Sequence, residues 1–314
     1  MRSPRLPSLP GPVTGSDSGI AVRKSVSDMK VEARSPSGAR VELACAARSD
    51  VGRRRSVNED SWGARFPLYF VADGMGGHKA GDVASQKVVS SLFGALPDER
   101  FITASELSAA LARVAVDLYE LGVGVGAPGS TLTGFAVHEH RGLPCALVFN
   151  IGDSRTYLLS QGSFEQVTVD HSEVQELIDA GEVDEVEARA LPRQNVITRA
   201  LGAGSGPDVA ADLFMVPLQS GDRWVMCSDG LSGEVTSALL EMIVRSVSDP
   251  QAVADELISQ ALNAGGKDNV TVLIVDVINA EPPWEDHSVD QTVDSDENTI
   301  PRPAHTAPAT SEGE

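Results

Sequence analysis

Basic charge is scarce in this 314-residue chain: 25 Lys and Arg stand against 45 Asp and Glu, a net charge of -20. A nucleic-acid backbone needs a basic face that releases its counterions, and an anionic membrane surface needs the same, so neither is an expected partner. Long apolar runs are missing too. The longest uncharged stretch, residues 121–137, is broken by five glycines and a proline and cannot be a membrane span. Cysteine is rare: Cys45, Cys145 and Cys227 lie far apart, are odd in number and form no C-x-x-C pair. They frame neither a disulfide scaffold nor a zinc site and suit a reducing compartment. Prolines stand where a signal peptide would need an apolar core. What is plentiful is aliphatic surface: 41% of residues are hydrophobic and 22% charged, enough for a large buried core. The expectation is a soluble, cytoplasmic, monomeric globular protein.

Composition divides the chain in three. Residues 1–39 are rich in Pro, Ser and Gly and carry a net charge of +3; residues 280–314 hold five prolines and a net charge of -8. Neither end offers enough apolar surface to offset the entropy of ordering it, so both are expected to be disordered extensions. Between them, residues 40–279 carry -15 and make a single 240-residue domain. Apolar spacing there predicts helices over residues 81–96, 105–121, 172–180, 234–247 and 251–264. In the first, Val83, Val88, Leu92 and Leu96 make the apolar stripe. Strands are predicted over 41–47, 68–72, 131–137, 146–151, 156–159, 164–167, 223–227 and 270–278. Strands in hairpin-like groups with helices in separate blocks favour an α+β fold over a doubly wound sheet.

The informative pattern is where aspartates fall relative to the strands. Asp73 and Gly74 end the apolar run Tyr69-Phe70-Val71-Ala72, and Asp229-Gly230 end Trp224-Val225-Met226-Cys227-Ser228. Asp153 follows Leu147-Val148-Phe149-Asn150-Ile151-Gly152, Asp268 stands just before the strand at Val270, and Glu59-Asp60 adds adjacent carboxylates. One Asp-Gly is ordinarily a turn. Five strand-end sites with no matching basic set imply bound cations, because a carboxylate at a buried strand mouth is costly unless paired or metal-bound. Carboxylates, carbonyls and water are ligands of Mg²⁺ or Mn²⁺, whereas zinc favours His or Cys. Such a cluster can hold two cations and activate a bridging water against a phosphoryl group. Arg55, three residues before Asn58, is placed to fork the phosphate.

Seven pieces in sequence order carry a resemblance. They are Arg55-Ser56-Val57-Asn58-Glu59-Asp60, Val71-Ala72-Asp73-Gly74-Met75-Gly76-Gly77, Gly152-Asp153-Ser154-Arg155, Asp170-His171-Ser172, Ile197-Thr198-Arg199-Ala200-Leu201-Gly202, Cys227-Ser228-Asp229-Gly230-Leu231 and Gly266-Lys267-Asp268-Asn269-Val270. Across residues 52–277 this order resembles the metal-dependent protein phosphatases of type 2C, in their bacterial branch. The resemblance implies a four-layer αββα sandwich, two antiparallel sheets flanked by helices, with a dinuclear metal site at one end. It implies two tight Mn²⁺ or Mg²⁺ ions and a weaker third. Asp73 would bridge the pair and Gly74 would lend its carbonyl to one ion. Asp60 supports one ion with Glu59 close by, Asp229 and Asp268 hold the other, and Asp153 serves the third. Arg55 would clamp the substrate phosphate, and residues 191–206 correspond to a variable flap beside the site. The implied partners are Ser/Thr-phosphorylated proteins, opposing the serine/threonine kinases of the same cell. One position departs: Met75 stands where animal and plant members carry the histidine proposed as general acid, and His78 reads as a loop residue.

Other signals fail. Gly124-Val125-Gly126-Ala127-Pro128-Gly129 matches G-x-G-x-x-G but follows a helix and opens a strand, the reverse of a dinucleotide fingerprint. Ser154 as an esterase nucleophile lacks a triad. No cysteine has an arginine six residues on, which excludes a thiolate phosphatase. The reading from another class is a metal-binding pseudophosphatase, a regulatory module that holds a phosphoprotein without hydrolysing it.

Overall fold

The central strands are near-continuous apolar runs with both faces apolar, which demands a sheet covered on both sides. The computed structural model has that arrangement and describes residues 25–76, 80–122, 128–188, 191 and 196–283. In chain order the elements are β1 (Ser25–Arg34), β2 (Arg40–Asp50), β3 (Asp60–Arg65), β4 (Leu68–Met75), α1 (Gly81–Ala95), α2 (Ala104–Gly122), β5 (Gly129–Ser130), β6 (Leu132–His140), β7 (Leu143–Ile151) and β8 (Arg155–Ser160). They continue with β9 (Ser163–Gln166), α3 (Glu173–Asp179), α4 (Glu185–Ala188), β10 (Leu201–Gly202), β11 (Asp212–Pro217), β12 (Arg223–Cys227), α5 (Asp229–Ser232), α6 (Ser237–Ser246), α7 (Pro250–Ala264) and β13 (Val270–Glu281).

Two antiparallel sheets result, ordered β1-β2-β13-β12-β8-β9 and β10-β5-β4-β6-β7-β11, with β3 paired to β4. Side chains on successive residues point to opposite faces, and this sorts the core into three slabs. Tyr69 and Val71 of β4 meet Leu273 and Val275 of β13 between the sheets. Leu68, Phe70 and Ala72 pack outward under Leu92, Leu111 and Leu118 of α1 and α2. Val272 and Ile274 pack outward under Leu240, Ile243 and Leu257 of α6 and α7. The order is helices, sheet, sheet, helices, the expected αββα sandwich. Among the described residues no helix is long and apolar enough to cross a membrane.

Four sequence expectations need revision. The chain is already paired at Ser25: β1 lies inside the segment read as an extension, and Val31 and Ala33 pack against the inter-sheet core. Only two core residues alternate with Lys30, Glu32 and Arg34, too short a period to stand out. At the other end β13 runs on to Glu281, past the expected boundary at 279. Val83 is 47% exposed, so the stripe of α1 rests on Val88, Val89 and Leu92. The helix expected over 234–247 starts later, at Ser237, because the Thr236 hydroxyl accepts from Leu239 N and caps α6 there. Strands β3 and β11 were not anticipated. The expectations for residues 1–24 and 284–314, for His78 and for most of the glycine run at 124–129 lie outside the described residues.

Candidate active site

Strand ends on one side of the sandwich carry the acidic residues. Asp60 opens β3 and faces Asp73 across the β3–β4 ladder. Asp153 sits in the turn between β7 and β8, Asp229 begins α5 directly after β12, and Asp268 precedes β13. Antiparallel strands begin and end on this side, so Asp73, Asp153, Asp229 and Asp268, far apart in the chain, meet around one cavity of about 880 Å³. Arg55, Glu59, Asp73, Gly74, Asp153, Asp229 and Asp268 line it; Asp60, also expected there, lies just beneath its floor, 2% exposed. Met75, Val57, Val196 and Ile197 supply an apolar wall. Of the expected flap, residues 192–195 lie outside the described residues, while Val196 and Ile197 reach the cavity.

Backbone contact explains the glycines. A Cβ on Gly74 would lie 2.0 Å from the Gly81 carbonyl oxygen, and one on Gly230 would lie 1.9 Å from that of Asn269. Any side chain there would push apart the loops that bring the carboxylates together.

The electrostatics are those of crowded carboxylates. Burial pushes Asp60 up to about 7, helped by the charges of Asp229 and Asp268 and opposed by the Ser228 hydroxyl, which donates to Oδ2 at 2.7 Å. Burial likewise lifts Asp153 to about 7 and Asp229 to about 6. Asp73 stands well above its ordinary value, through burial and then the charges of Asp60, Asp229 and Asp153. Asp60 Oδ1 and Asp153 Oδ1 are buried without a hydrogen-bond partner. Arg55 reaches into this group, its Nη2 donating to Asp268 Oδ2 at 2.6 Å, and the charge of Arg155 also favours the ionised Asp153 and Asp229.

Orphaned buried oxygens beside mutually repelling carboxylates are what divalent cations relieve. Among the described residues no three His, Cys, Asp or Glu side chains close on a single point. A hydrated hard cation takes one or two carboxylates and completes its shell with carbonyl oxygen and water. The all-oxygen donor set fits Mn²⁺ or Mg²⁺ and not zinc.

These shifts set a pH dependence. A carboxyl raised by folding holds its proton more tightly in the folded chain, so the stability it contributes is complete below the unfolded value of 3.8 and is lost as pH climbs towards 7. Groups shifted the other way, such as Glu106 and Asp212, titrate below that window. In chelator the protein is therefore expected to melt several degrees higher at pH 5 than at pH 7.5, by calorimetry. An equal or higher Tm at pH 7.5 in chelator would contradict the crowding.

Several residues that hold the site together have no role in the sequence reading: Asn269, His171 and Thr198 stand inside the motifs and Thr131 outside them. Asn269, 4% exposed, accepts from Glu59 N at 2.8 Å and donates through Nδ2 to the carbonyls of Val51 and Val57, both at 2.9 Å. It thus clamps both ends of the loop that presents Arg55. Thr131 accepts from Asp73 N at 3.0 Å and bonds Ser154 Oγ at 2.7 Å, tying the Asp73 strand to the Asp153 turn. His171 accepts from Gly152 N through Nδ1 at 3.0 Å and meets Asp212 through Nε2 at 3.1 Å. Thr198 N donates to the His171 carbonyl, linking the flap limb to the same turn. Buried polar spacing of this kind has no period to read.

A four-layer sandwich with strand-end carboxylates and an arginine around one cavity is the architecture of a metal-dependent phosphatase. Comparison with known proteins agrees. The protein phosphatase 2C family matches residues 52–271. The serine/threonine phosphatase stp of Listeria innocua is 38% identical over 242 residues, which is 73% of this chain and 94% of that protein. The crystal structure of the Mycobacterium tuberculosis serine/threonine phosphatase PstP/Ppp superposes with a TM-score of 0.68 at 36% identity, covering 76% of this chain and 99% of that one. The catalytic domain of PstP in complex with two manganese ions gives 0.64 at 37% identity, with coverage of 76% and 99%. This chain belongs to the protein phosphatase 2C family.

Proposed function

We propose that this protein is a Mn²⁺- or Mg²⁺-dependent phosphatase that removes phosphate from phosphoserine and phosphothreonine in proteins, opposing the serine/threonine kinases of its cell. The observation that carries the proposal is the meeting of Asp73, Asp153, Asp229, Asp268 and Arg55 around one cavity with Asp60 buried beneath it, and with buried carboxylate oxygens of Asp60 and Asp153 left unpartnered. Asp73, Asp60, Gly74, Asp229 and Asp268 would hold two ions, Asp153 a third, with Glu59 beside them. When bound, the ions supply Lewis-acid charge stabilisation and a nucleophilic water at neutral pH.

The chain's own residues do the rest. Arg55, held by Asp268 through one nitrogen, has its guanidinium half exposed at the cavity wall and can donate its remaining N–H groups to phosphoryl oxygens. The clamp on residues 51 and 57 fixes that guanidinium before substrate arrives. Val57, Met75, Val196 and Ile197 shield one side of the cavity from water. Met75 has no proton to give, so the leaving serine or threonine oxygen takes its proton from another group. The three cysteines are buried and unpaired, which supports a reducing, cytoplasmic setting.

The test is hydrolysis of a chromogenic phosphomonoester with Mn²⁺ and in excess chelator. Turnover is expected with the ion alone present, without a trapped phosphoenzyme. Binding of phosphopeptides without turnover in Mn²⁺ would favour the pseudophosphatase reading instead.

A further inference from the structure

Three consecutive arginines, Arg53-Arg54-Arg55, are conspicuous in a chain with a net charge of -20. They sit on the loop that forms one lip of the cavity, and each is held differently. Arg53 is an anchor: its backbone N donates to the Gly266 carbonyl at 2.7 Å and its Nε to the Leu262 carbonyl at 2.8 Å. Arg55 turns inward to Asp268 and lines the cavity. Arg54 lies between them, exposed, at the turn.

The loop itself is rigid. Gly52 has φ +78°, and a Cβ there would lie 2.1 Å from the Asp268 carbonyl oxygen, so the turn is pressed against the strand-end loop. Asn269 ties both ends, at Val51 and Val57. A guanidinium carried on a preorganised turn is presented at smaller entropic loss than one on a mobile loop.

Neighbouring cations are already neutralised. Arg48 is paired with Asp255, and Lys267 with Glu234. Among the described residues neither Arg53 nor Arg54 has a carboxylate within ion-pair distance, and Arg53 is held by a backbone carbonyl, so Arg54 is the exposed cation beside the cavity-lining Arg55. A third cation is not needed on the phosphate itself. Arg55 lines the cavity and its exposed neighbour Arg54 does not, which sets Arg54 outside the phosphate position, beside it on the same turn.

From this we infer that Arg54, backed by Arg53, is a specificity subsite for acidic residues next to the phosphorylated serine or threonine of a protein substrate. The inference rests on the phosphatase reading above and names its preferred substrate class: phosphosites embedded in Asp- or Glu-rich sequence. With a net charge of -20 over the whole chain, an acidic segment gains from a local cationic site that offsets the long-range repulsion.

The experiment uses the full-length protein with Mn²⁺ and three substrates: a phosphothreonine peptide with acidic flanks, the same peptide with Asn and Gln in their place, and a small chromogenic phosphomonoester. Wild type is expected to favour the acidic peptide in kcat/KM by about two- to fivefold, the range of an exposed ion pair. Arg54→Ala should bring the ratio to about one, and Arg54→Glu should invert it. Raising the salt to about 1 M, where the Debye length is about 3 Å, should flatten the wild-type ratio as well. The small ester has no flank, so its rate should move by less than about twofold in Arg54→Ala. A wild-type ratio of one, or an unchanged ratio in both variants, would overturn the inference. If wild type fails on the ester itself, the phosphatase reading falls. The same two peptides, fluorescently labelled and followed by anisotropy, would then decide whether Arg54 still selects the acidic one.

Discussion

Asp73→Asn should lower turnover by at least about a thousandfold, the scale on which a preorganised electrostatic element of catalysis is lost, while leaving the folded protein no less stable without metal. The two halves come from one fact. Asp73 is crowded by the charges of Asp60, Asp229 and Asp153 and lifted well above its ordinary value by burial. An amide of the same shape removes a charge that this environment disfavours, so the metal-free variant is expected to melt at the wild-type temperature or above it. The variant also loses the negative charge that draws cations in. The rise in Tm on adding Mn²⁺ should therefore shrink. Activity on a phosphomonoester and two melting curves, with Mn²⁺ and with chelator, read all three effects. Asp229→Asn should behave alike, since Asp229 is also pushed up by burial and by Asp268. Activity above a tenth of wild type in either variant would remove these residues from the metal assignment.

Arg55→Ala is the second large effect. Its guanidinium would meet the phosphoryl oxygens most strongly as charge develops on them, so kcat and KM should both suffer. The expected loss in kcat/KM is about 2–4 kcal/mol, comparable with removing another preorganised donor. Arg55→Lys should regain only part, because an ammonium makes a single-point contact where the guanidinium makes two. Arg55 also neutralises Asp268, at 2.6 Å, so some of the alanine effect passes through that carboxylate. Titrating Mn²⁺ separates the two routes. A defect that vanishes at high Mn²⁺ belongs to Asp268, and one that persists belongs to the phosphate. A wild-type kcat/KM in Arg55→Ala would move phosphate binding elsewhere.

The site was more legible than the edges of the fold. An aspartate that terminates an apolar run is visible because the run is visible, and Asp73 and Asp229 announce themselves this way. Asp268 was legible for the same reason in reverse, standing just ahead of Val270. By contrast β1 escaped notice because Lys30, Glu32 and Arg34 face away from the core and only Val31 and Ala33 pack inward. A strand at a sheet edge buries one face only and leaves half its sequence polar. Val83 erred in the opposite direction. It keeps helical spacing with Val88 and Leu92 yet lies 47% exposed, since α1 meets its sheet over a narrower stripe than the sequence suggests.

What the sequence by itself determined is the identity of the chemistry-bearing groups and the period of the elements that carry them. Those are local properties: a strand has period two, a helix 3.6, and an Asp-Gly pair marks a strand end. Only the tertiary structure decided which carboxylates share a cavity, that Asp60 lies under its floor, and that Asn269, Thr131 and His171 lash its loops together. Those are contacts between residues as many as 218 positions apart, as with Asn269 and Val51, and they leave no periodic trace. Burial is likewise collective. Asp60 is an ordinary carboxylate in the chain and becomes one titrating near 7 only when two sheets close over it and neighbouring charges gather.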